Sequence, residues 1–232
     1  HLYGVPCDIL DIRDIALRHG LALVEDCAEA LGAKVEGRFV GTFGDIGCYS
    51  FFGNKVLTTG EGGMCLARNK DFAETLRHYR DHGMKPGQRY WHTAVGYNAR
   101  MSNLQGAVGF AQFKKLDTFI ARRREIHEIY SHCFKACRGL LSPTPAPGVE
   151  DVIWLESPVL ARGHGLDRDR LLSHLQGLGI ETRPFFYPIA AMPAYAHCGT
   201  VDADSAYFSG HGFNLPTYTG MSDDDVREIA GH

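Results

Sequence analysis

Ser50-Phe51-Phe52-Gly53-Asn54-Lys55-Val56-Leu57-Thr58-Thr59-Gly60-Glu61-Gly62-Gly63 is the stretch on which the reading of this 232-residue chain turns. Residues 46 to 52 read as a buried strand, and a glycine-rich turn closes soon after the lysine. An ammonium group is costly to bury, so a lysine at the end of an apolar strand either snorkels to water or is chemically used. Desolvation disfavours the charged form and lowers the amine's pKa. A neutral amine attacks carbonyls, which is the property a Schiff base needs. Taken alone, Lys55 also reads as an ordinary surface lysine after a strand.

Upstream, Leu21-Ala22-Leu23-Val24 runs straight into Glu25-Asp26, a carboxylate pair at the end of a second apolar strand. An amine and a carboxylate so placed are what a pyridoxal phosphate enzyme requires, the first for the cofactor's aldehyde and the second for its pyridinium nitrogen. Four stretches then carry a resemblance. They are Glu25-Asp26-Cys27-Ala28-Glu29-Ala30-Leu31-Gly32-Ala33, Gly44-Asp45-Ile46-Gly47-Cys48-Tyr49-Ser50-Phe51, Gly53-Asn54-Lys55 with Thr58 to Gly63, and Gly96-Tyr97-Asn98-Ala99-Arg100-Met101-Ser102-Asn103. In this order they resemble the DegT/DnrJ/EryC1/StrS family of pyridoxal-phosphate-dependent nucleotide-sugar aminotransferases. The Phe-Gly-Asn-Lys form of the lysine motif, with Arg89-Tyr90-Trp91 ahead of Gly96, is most similar to the perosamine synthase branch.

The resemblance implies an α/β, fold-type I architecture of the aspartate aminotransferase kind. Residues 1–117 would be the C-terminal part of a large domain with a mostly parallel sheet, and 118–232 a smaller α+β domain. It implies that Lys55 is the catalytic lysine that holds pyridoxal 5′-phosphate, and that Asp26 pairs with the pyridinium nitrogen. A strand-end Asp also reads simply as a helix cap, and both readings place it where α/β folds put ligands. Ser50 matches a serine that bonds the cofactor phosphate, and Asn98 an asparagine that reaches the phosphate in the neighbouring subunit's site of a homodimer. Glu29 stands where the family more often has Gln near the cofactor's phenolic oxygen, and a carboxylate there repels unless it is protonated or turned away. Family dehydratases carry His in place of the lysine, so Lys55 points to amino transfer. The implied reaction moves an amino group from glutamate to a 4-keto-6-deoxy nucleotide sugar such as GDP-4-keto-6-deoxymannose, for surface polysaccharide synthesis. Two rivals stand beside it: a UDP- or dTDP-linked keto sugar as acceptor, and a truncated non-catalytic remnant or binding subunit. Arg183, Phe185, Phe186, Tyr187 and Pro188 match a small-domain segment that closes near the site. Ala190 and Ala191 occupy the region where relatives carry a His.

Composition excludes several classes. A net charge of −3 gives no basic footprint for nucleic acid, and no apolar run approaches the about 20 residues of a membrane span. Thr59 to Gly63 has neither nucleoside-triphosphate-loop nor dinucleotide-loop spacing, so it reads as a tight turn that aims Lys55. Seven scattered cysteines without a close Cys-x-x-Cys pair argue against a disulfide framework or a zinc ribbon, no metal site is expected, and the natural compartment is the cytoplasm.

Hydrophobic periodicity sets out alternating helix and strand. Asp8 should cap a helix to Arg18, ahead of strands at Leu21–Glu25, Ile46–Phe52 and Gly63–Ala67. Asn69 should cap a helix to about Arg80, and a helical run from Met101 to Cys137 should bend near Lys115–Thr118. Pro143, Pro145, Pro147 and Gly148 mark a loop before a strand at Val152–Leu160. Asp167 should start a helix, Ile180–Phe186 should form a strand, and Ser222 should cap the last helix. The opening His1-Leu2-Tyr3-Gly4 resembles a stretch well inside the family's large domain, which leads to the expectation that the chain is a fragment.

Overall fold

The computed structural model of the chain describes residues 1–142, 144–163 and 165–232, so Pro143 of the proline-marked loop lies outside the described residues. In chain order the elements are α1 (Ile9–Arg18), β1 (Val24–Asp26), β2 (Lys34–Val35), β3 (Arg38–Phe39), β4 (Ile46–Ser50) and β5 (Gly63–Ala67). Next come α2 (Lys70–Arg80), α3 (Asn103–Phe113), α4 (Leu116–Phe134), β6 (Leu140–Leu141), β7 (Val149–Glu150) and β8 (Val159–Leu160). The chain closes with α5 (Arg168–Gly177), β9 (Arg183–Pro184), α6 (Ala203–His211), β10 (Phe213–Asn214) and α7 (Asp223–Gly231).

Local side-chain chemistry sets most of the helix starts. Asn69 accepts from the Phe72 N–H at 2.8 Å, Asp167 from the Arg170 N–H at 2.9 Å, and Ser222 forms a reciprocal box with Asp225. Asp8 corrects the expectation: it precedes α1, but its side chain makes no capping bond. The long helical run is broken where expected, between Phe113 and Leu116.

Contacts divide the chain into two compact units, 1–121 with 145–154, and 122–144 with 155–232. The division passes inside α4 after Ala121, four residues beyond the expected boundary at 117, and a ten-residue segment returns to the first unit.

In the first unit β1 runs parallel to β4, with Asp26 opposite Cys48, and β4 runs antiparallel to β5, with Cys48 opposite Cys65. β1 is shorter than the apolar run suggested. Leu21 and Val24 are 61% and 58% exposed, and nothing among the described residues covers them. Ile9, Cys27, Ala30, Val40, Phe43 and Val152 make the core. A second sheet, in the order β3-β2-β7, explains the returning segment. Lys34 pairs with Glu150 in register and by a 3.3 Å ion pair, so residues 149–154 are drawn in beside it. The expected strand at Val152–Leu160 is therefore split: 152–154 pack in the first unit, and only Val159–Leu160 forms a strand, with β6. Gly4 adopts a φ of +89°, and a Cβ there would collide with the Val152 carbonyl. The Val152 N–H donates to the Gly4 carbonyl at 3.1 Å.

The second unit is built around Ile126, Tyr130, Leu160, Leu175, Phe213 and Val226. The expected strand at Ile180–Phe186 reduces to β9, paired with β10. Phe185 is buried against Gly212, whereas Phe186 and Tyr187 are exposed. One carboxylate, Glu156, is fully buried here. Its Oε2 lies 2.7 Å from His127 Nδ1, and its backbone N–H donates to Thr217 Oγ1 at 2.7 Å. Removing His127 leaves the buried Glu156 carboxylate with Ser142 Oγ at 3.5 Å as a weaker contact, and losing a hydrogen bond to such a group costs about 1–3 kcal/mol. His127→Ala should therefore lower the unfolding free energy of the second unit, read from urea titration, by that order, and adding Glu156→Leu should recover much of the loss. Equal midpoints for wild type and His127→Ala would show that the pair contributes nothing.

Candidate active site

Two carboxylates that are adjacent in sequence part company at the end of β1. Successive strand residues face opposite sides, so Glu25 turns in and Asp26 turns out. Glu25 is buried and accepts the Gly41 and Gly44 amides at 2.7 and 2.6 Å, with His1 Nε2 3.3 Å away. It thus fastens the loop ahead of β4. His1, Glu25 and Cys27 converge closely enough to enclose a cation. Burial, however, pushes the Cys27 thiol up to about 12, and Glu25 is already committed to two amides, so this cluster reads as packing. Asp26 is exposed and takes the Ala28 N–H at 3.0 Å.

The turn after β4 presents Lys55. Phe51 N–H donates to the Gly62 carbonyl at 2.9 Å, Thr59 N–H to the Phe51 carbonyl at 2.9 Å, and Lys55 N–H to the Phe52 carbonyl at 3.0 Å. Thr58 N–H reaches Gln112 Oε1 on α3 at 3.0 Å, and Gln105 Nε2 reaches the Glu61 carbonyl at 2.9 Å. The glycine-rich turn is thereby pinned to α3. Ser50 ends β4, and its Oγ accepts the Phe52 N–H at 3.2 Å.

Lys55 Nζ lies 3.5 Å from Glu29 Oε1 and 3.7 Å from the centroid of the Trp154 ring, with its side chain only 13% exposed. The other oxygen of Glu29 accepts the Tyr3 N–H at 2.7 Å. The Tyr3 ring stacks on Trp154, with centroids 6.1 Å apart and planes 15° from parallel. Trp154 Nε1 donates to the Asn54 carbonyl at 2.8 Å. Lys55, Glu29, Tyr3 and Trp154 therefore form a closed ring of contacts around one amine.

Burial lowers the Lys55 pKa, and the charges of Glu29 and Asp26 and the Glu29 hydrogen bond push it back. Burial also raises Glu29 above the usual carboxylate range, against the Tyr3 amide and Lys55. Both groups are moved toward their neutral forms. A half-dry amine of this kind can act as nucleophile or base.

Among the sequence-derived candidates, Lys55 and Glu29 are in direct contact, and Asp26 acts on both through its charge. Ser50 stands at the head of the lysine turn. Asn98 is exposed, bridged to Asp81, and accepts from Arg100 Nε at 3.1 Å, outside the lysine ring. Sequence reading missed Tyr3 and Trp154. A tryptophan closing a short apolar run after a proline-rich loop is a weak signal of packing and no signal of a lysine contact.

Comparison with known proteins places these observations. The profile of the DegT/DnrJ/EryC1/StrS aminotransferase family matches residues 1–232. The chain is 42% identical to a GDP-perosamine synthase of Vibrio cholerae, over 99% of this chain and 63% of that protein. It is 40% identical to a GDP-perosamine synthase of Caulobacter vibrioides, over 99% of this chain and 62% of that protein. Among solved structures, the aminotransferase TlmJ of Streptoalloteichus hindustanus superposes with a TM-score of 0.92 at 30% identity, covering all of this chain and 62% of that one. The chain thus spans a little over three fifths of the length of these relatives.

Acylation of Lys55, followed by peptide mapping across pH, should show a midpoint below the ordinary lysine value of 10.5. Glu29→Gln removes a negative charge that favours the ammonium, so the midpoint should move down further. A midpoint that rises or stays fixed would mean that Glu29 does not govern the amine.

Proposed function

The chain belongs to the DegT/DnrJ/EryC1/StrS aminotransferase family, and on that premise we propose that the protein is a pyridoxal-phosphate-dependent aminotransferase acting on a GDP-linked 4-keto-6-deoxy sugar, with glutamate as donor. The observation that carries this reading is the Lys55 amine, largely buried and drawn toward its neutral form at the end of an α/β strand.

The donor set suits pyridoxal phosphate. Lys55 offers an amine for the aldehyde, and Asp26 an exposed carboxylate for the pyridinium nitrogen. Ser50 offers a hydroxyl to the phosphate at the head of the lysine turn. Glu29 departs from Gln, and here its carboxylate is turned to Lys55 Nζ and the Tyr3 amide. When bound, the cofactor supplies the electron sink that allows the α-proton of an amino acid to leave.

The chain's own residues supply the rest. Lys55 Nζ is the base that takes the donor's α-proton and later returns a proton to the acceptor. Glu29 Oε1 steadies that amine, and the Tyr3 amide fixes Glu29. Trp154, 4% exposed, keeps water from the amine.

The GDP-sugar acceptor rests on the two relatives described as GDP-perosamine synthases. Amino sugars of this kind would serve surface polysaccharide such as O-antigen. A homodimer with shared sites is supported by a broad exposed apolar surface on the first unit, with Tyr90 80%, Val95 84%, Tyr97 73% and Leu104 81% exposed. Asn98 lies within that stretch and would reach the neighbouring subunit's phosphate. A cytoplasmic location fits seven cysteines that are all free. No helix among the described residues is long and apolar enough to cross a membrane.

Borohydride reduction in the presence of pyridoxal phosphate should place a pyridoxyl group on Lys55, and Lys55→His should abolish amino transfer. A label on any other lysine sinks the reading. Asp26→Asn should keep the fold and lose most activity, since a neutral amide cannot hold the pyridinium charge; wild-type turnover would reduce Asp26 to a turn residue. Purified protein given glutamate and GDP-, UDP- or dTDP-linked keto sugars should aminate the GDP sugar fastest.

A further inference from the structure

We propose that Trp154 is a positioning residue for Lys55: its indole face seats the ammonium, and its ring N–H holds the backbone that carries the lysine. Three contacts meet at this side chain. Lys55 Nζ sits 3.7 Å from the ring centroid, Nε1 donates to the Asn54 carbonyl at 2.8 Å, and Tyr3 stacks on the ring. The Asn54 side-chain oxygen is buried without a hydrogen-bond partner, so at this residue the bond to Trp154 is made by the backbone carbonyl.

The two functions need one residue type. An aromatic face attracts a cation through its quadrupole, and indole does so best. The same ring must donate a hydrogen bond from its edge. Phenylalanine supplies the face alone, and leucine supplies neither. Lysine has a long flexible stem, so a seat that limits its rotamers keeps the amine where it reacts. The charged groups that face Lys55 are Glu29, at 3.5 Å, and Asp26, through its field. Trp154 adds attraction for the ammonium without adding a charge that would also bind water. It thereby retains the protonated amine in a site whose dryness would otherwise expel the charge. The inference deepens the reading of Lys55 as the functional amine, and only the cofactor-trapping arm of its test depends on that reading.

The chain has two tryptophans, and Trp91 is exposed. Trp91→Phe therefore leaves Trp154 as the sole indole reporter. The full chain, washed with amino donor to remove bound aldehyde, is titrated with pH while Trp154 emission is followed. The emission should step at the same midpoint as Lys55 acylation, and the step should vanish in Lys55→Met. In the second arm, Trp154→Leu should slow borohydride trapping of pyridoxal phosphate on Lys55 by at least about tenfold. Trp154→Phe should recover part of that rate. An emission step that is absent, or that persists in Lys55→Met, overturns the proposal even if Trp154→Leu fails to fold. Unchanged trapping and an unchanged acylation profile in a folded Trp154→Leu protein overturn it as well. If the wild type takes no pyridoxyl label at Lys55, the aminotransferase reading fails, and the emission step alone decides the seat.

Discussion

An ammonium held between the Glu29 carboxylate and the face of Trp154 is pulled two ways, and the chemistry of the first unit depends on the balance. Burial drives the proton off Lys55, while a carboxylate and an aromatic face both favour keeping it. Burial has the larger effect, and the amine's pKa falls below its ordinary value. A fully dry lysine would be neutral but could not hold a proton for return. A solvated one would be protonated and inert as a nucleophile. Partial burial beside Glu29 and within the field of Asp26 gives an amine of altered proton affinity.

That balance is only as good as the geometry that fixes it. Single hydrogen bonds contribute about 1 kcal/mol net, so no one contact could hold Lys55 against the entropy of its stem. The ring of contacts solves this by tying four chain segments together. The Tyr3 amide orients Glu29, Tyr3 stacks on Trp154, Trp154 holds the Asn54 carbonyl, and Gln112 and Gln105 of α3 pin the turn behind. Gly4 makes the first of these possible, because only a residue without a Cβ lets the chain pass against the Val152 carbonyl. The Glu25 carboxylate plays the matching part below the site, where two amides and His1 hold the loop that leads into β4.

Much of this was legible in the sequence, and the limits have physical causes. The strand–lysine–turn motif, the helix caps at Asn69, Asp167 and Ser222, and the break between α3 and α4 are all local features, so they could be read from neighbours a few residues apart. Strand lengths were over-read at Leu21–Glu25 and Ile180–Phe186, because apolarity reports burial potential and says nothing of whether a pairing partner exists. Val152–Leu160 looked like one strand and serves two units, since the Lys34–Glu150 register that divides it links residues 116 apart in the chain. Glu29 was identifiable only as a departure from a motif. Its contact with Lys55 and its raised pKa come from burial. Trp154 was out of reach altogether, because nothing in its local sequence refers to a lysine 99 positions earlier.

The returning segment at 145–154 also sets a timetable. The lysine turn leaves the ribosome about 100 residues before the tryptophan that completes its ring, and at roughly 5–20 residues per second that is a gap of about 5–20 s. Through that interval Lys55 lacks the Trp154 face, and the strand of the second sheet that pairs with Lys34 has not been made. The amine is then an ordinary solvated lysine, protonated and a poor nucleophile, and it gains its reactivity only once the ring closes around it. A pause between Ala121 and Trp154 would delay the moment at which the amine becomes reactive, so the order of synthesis itself keeps the lysine quiet until its site is built.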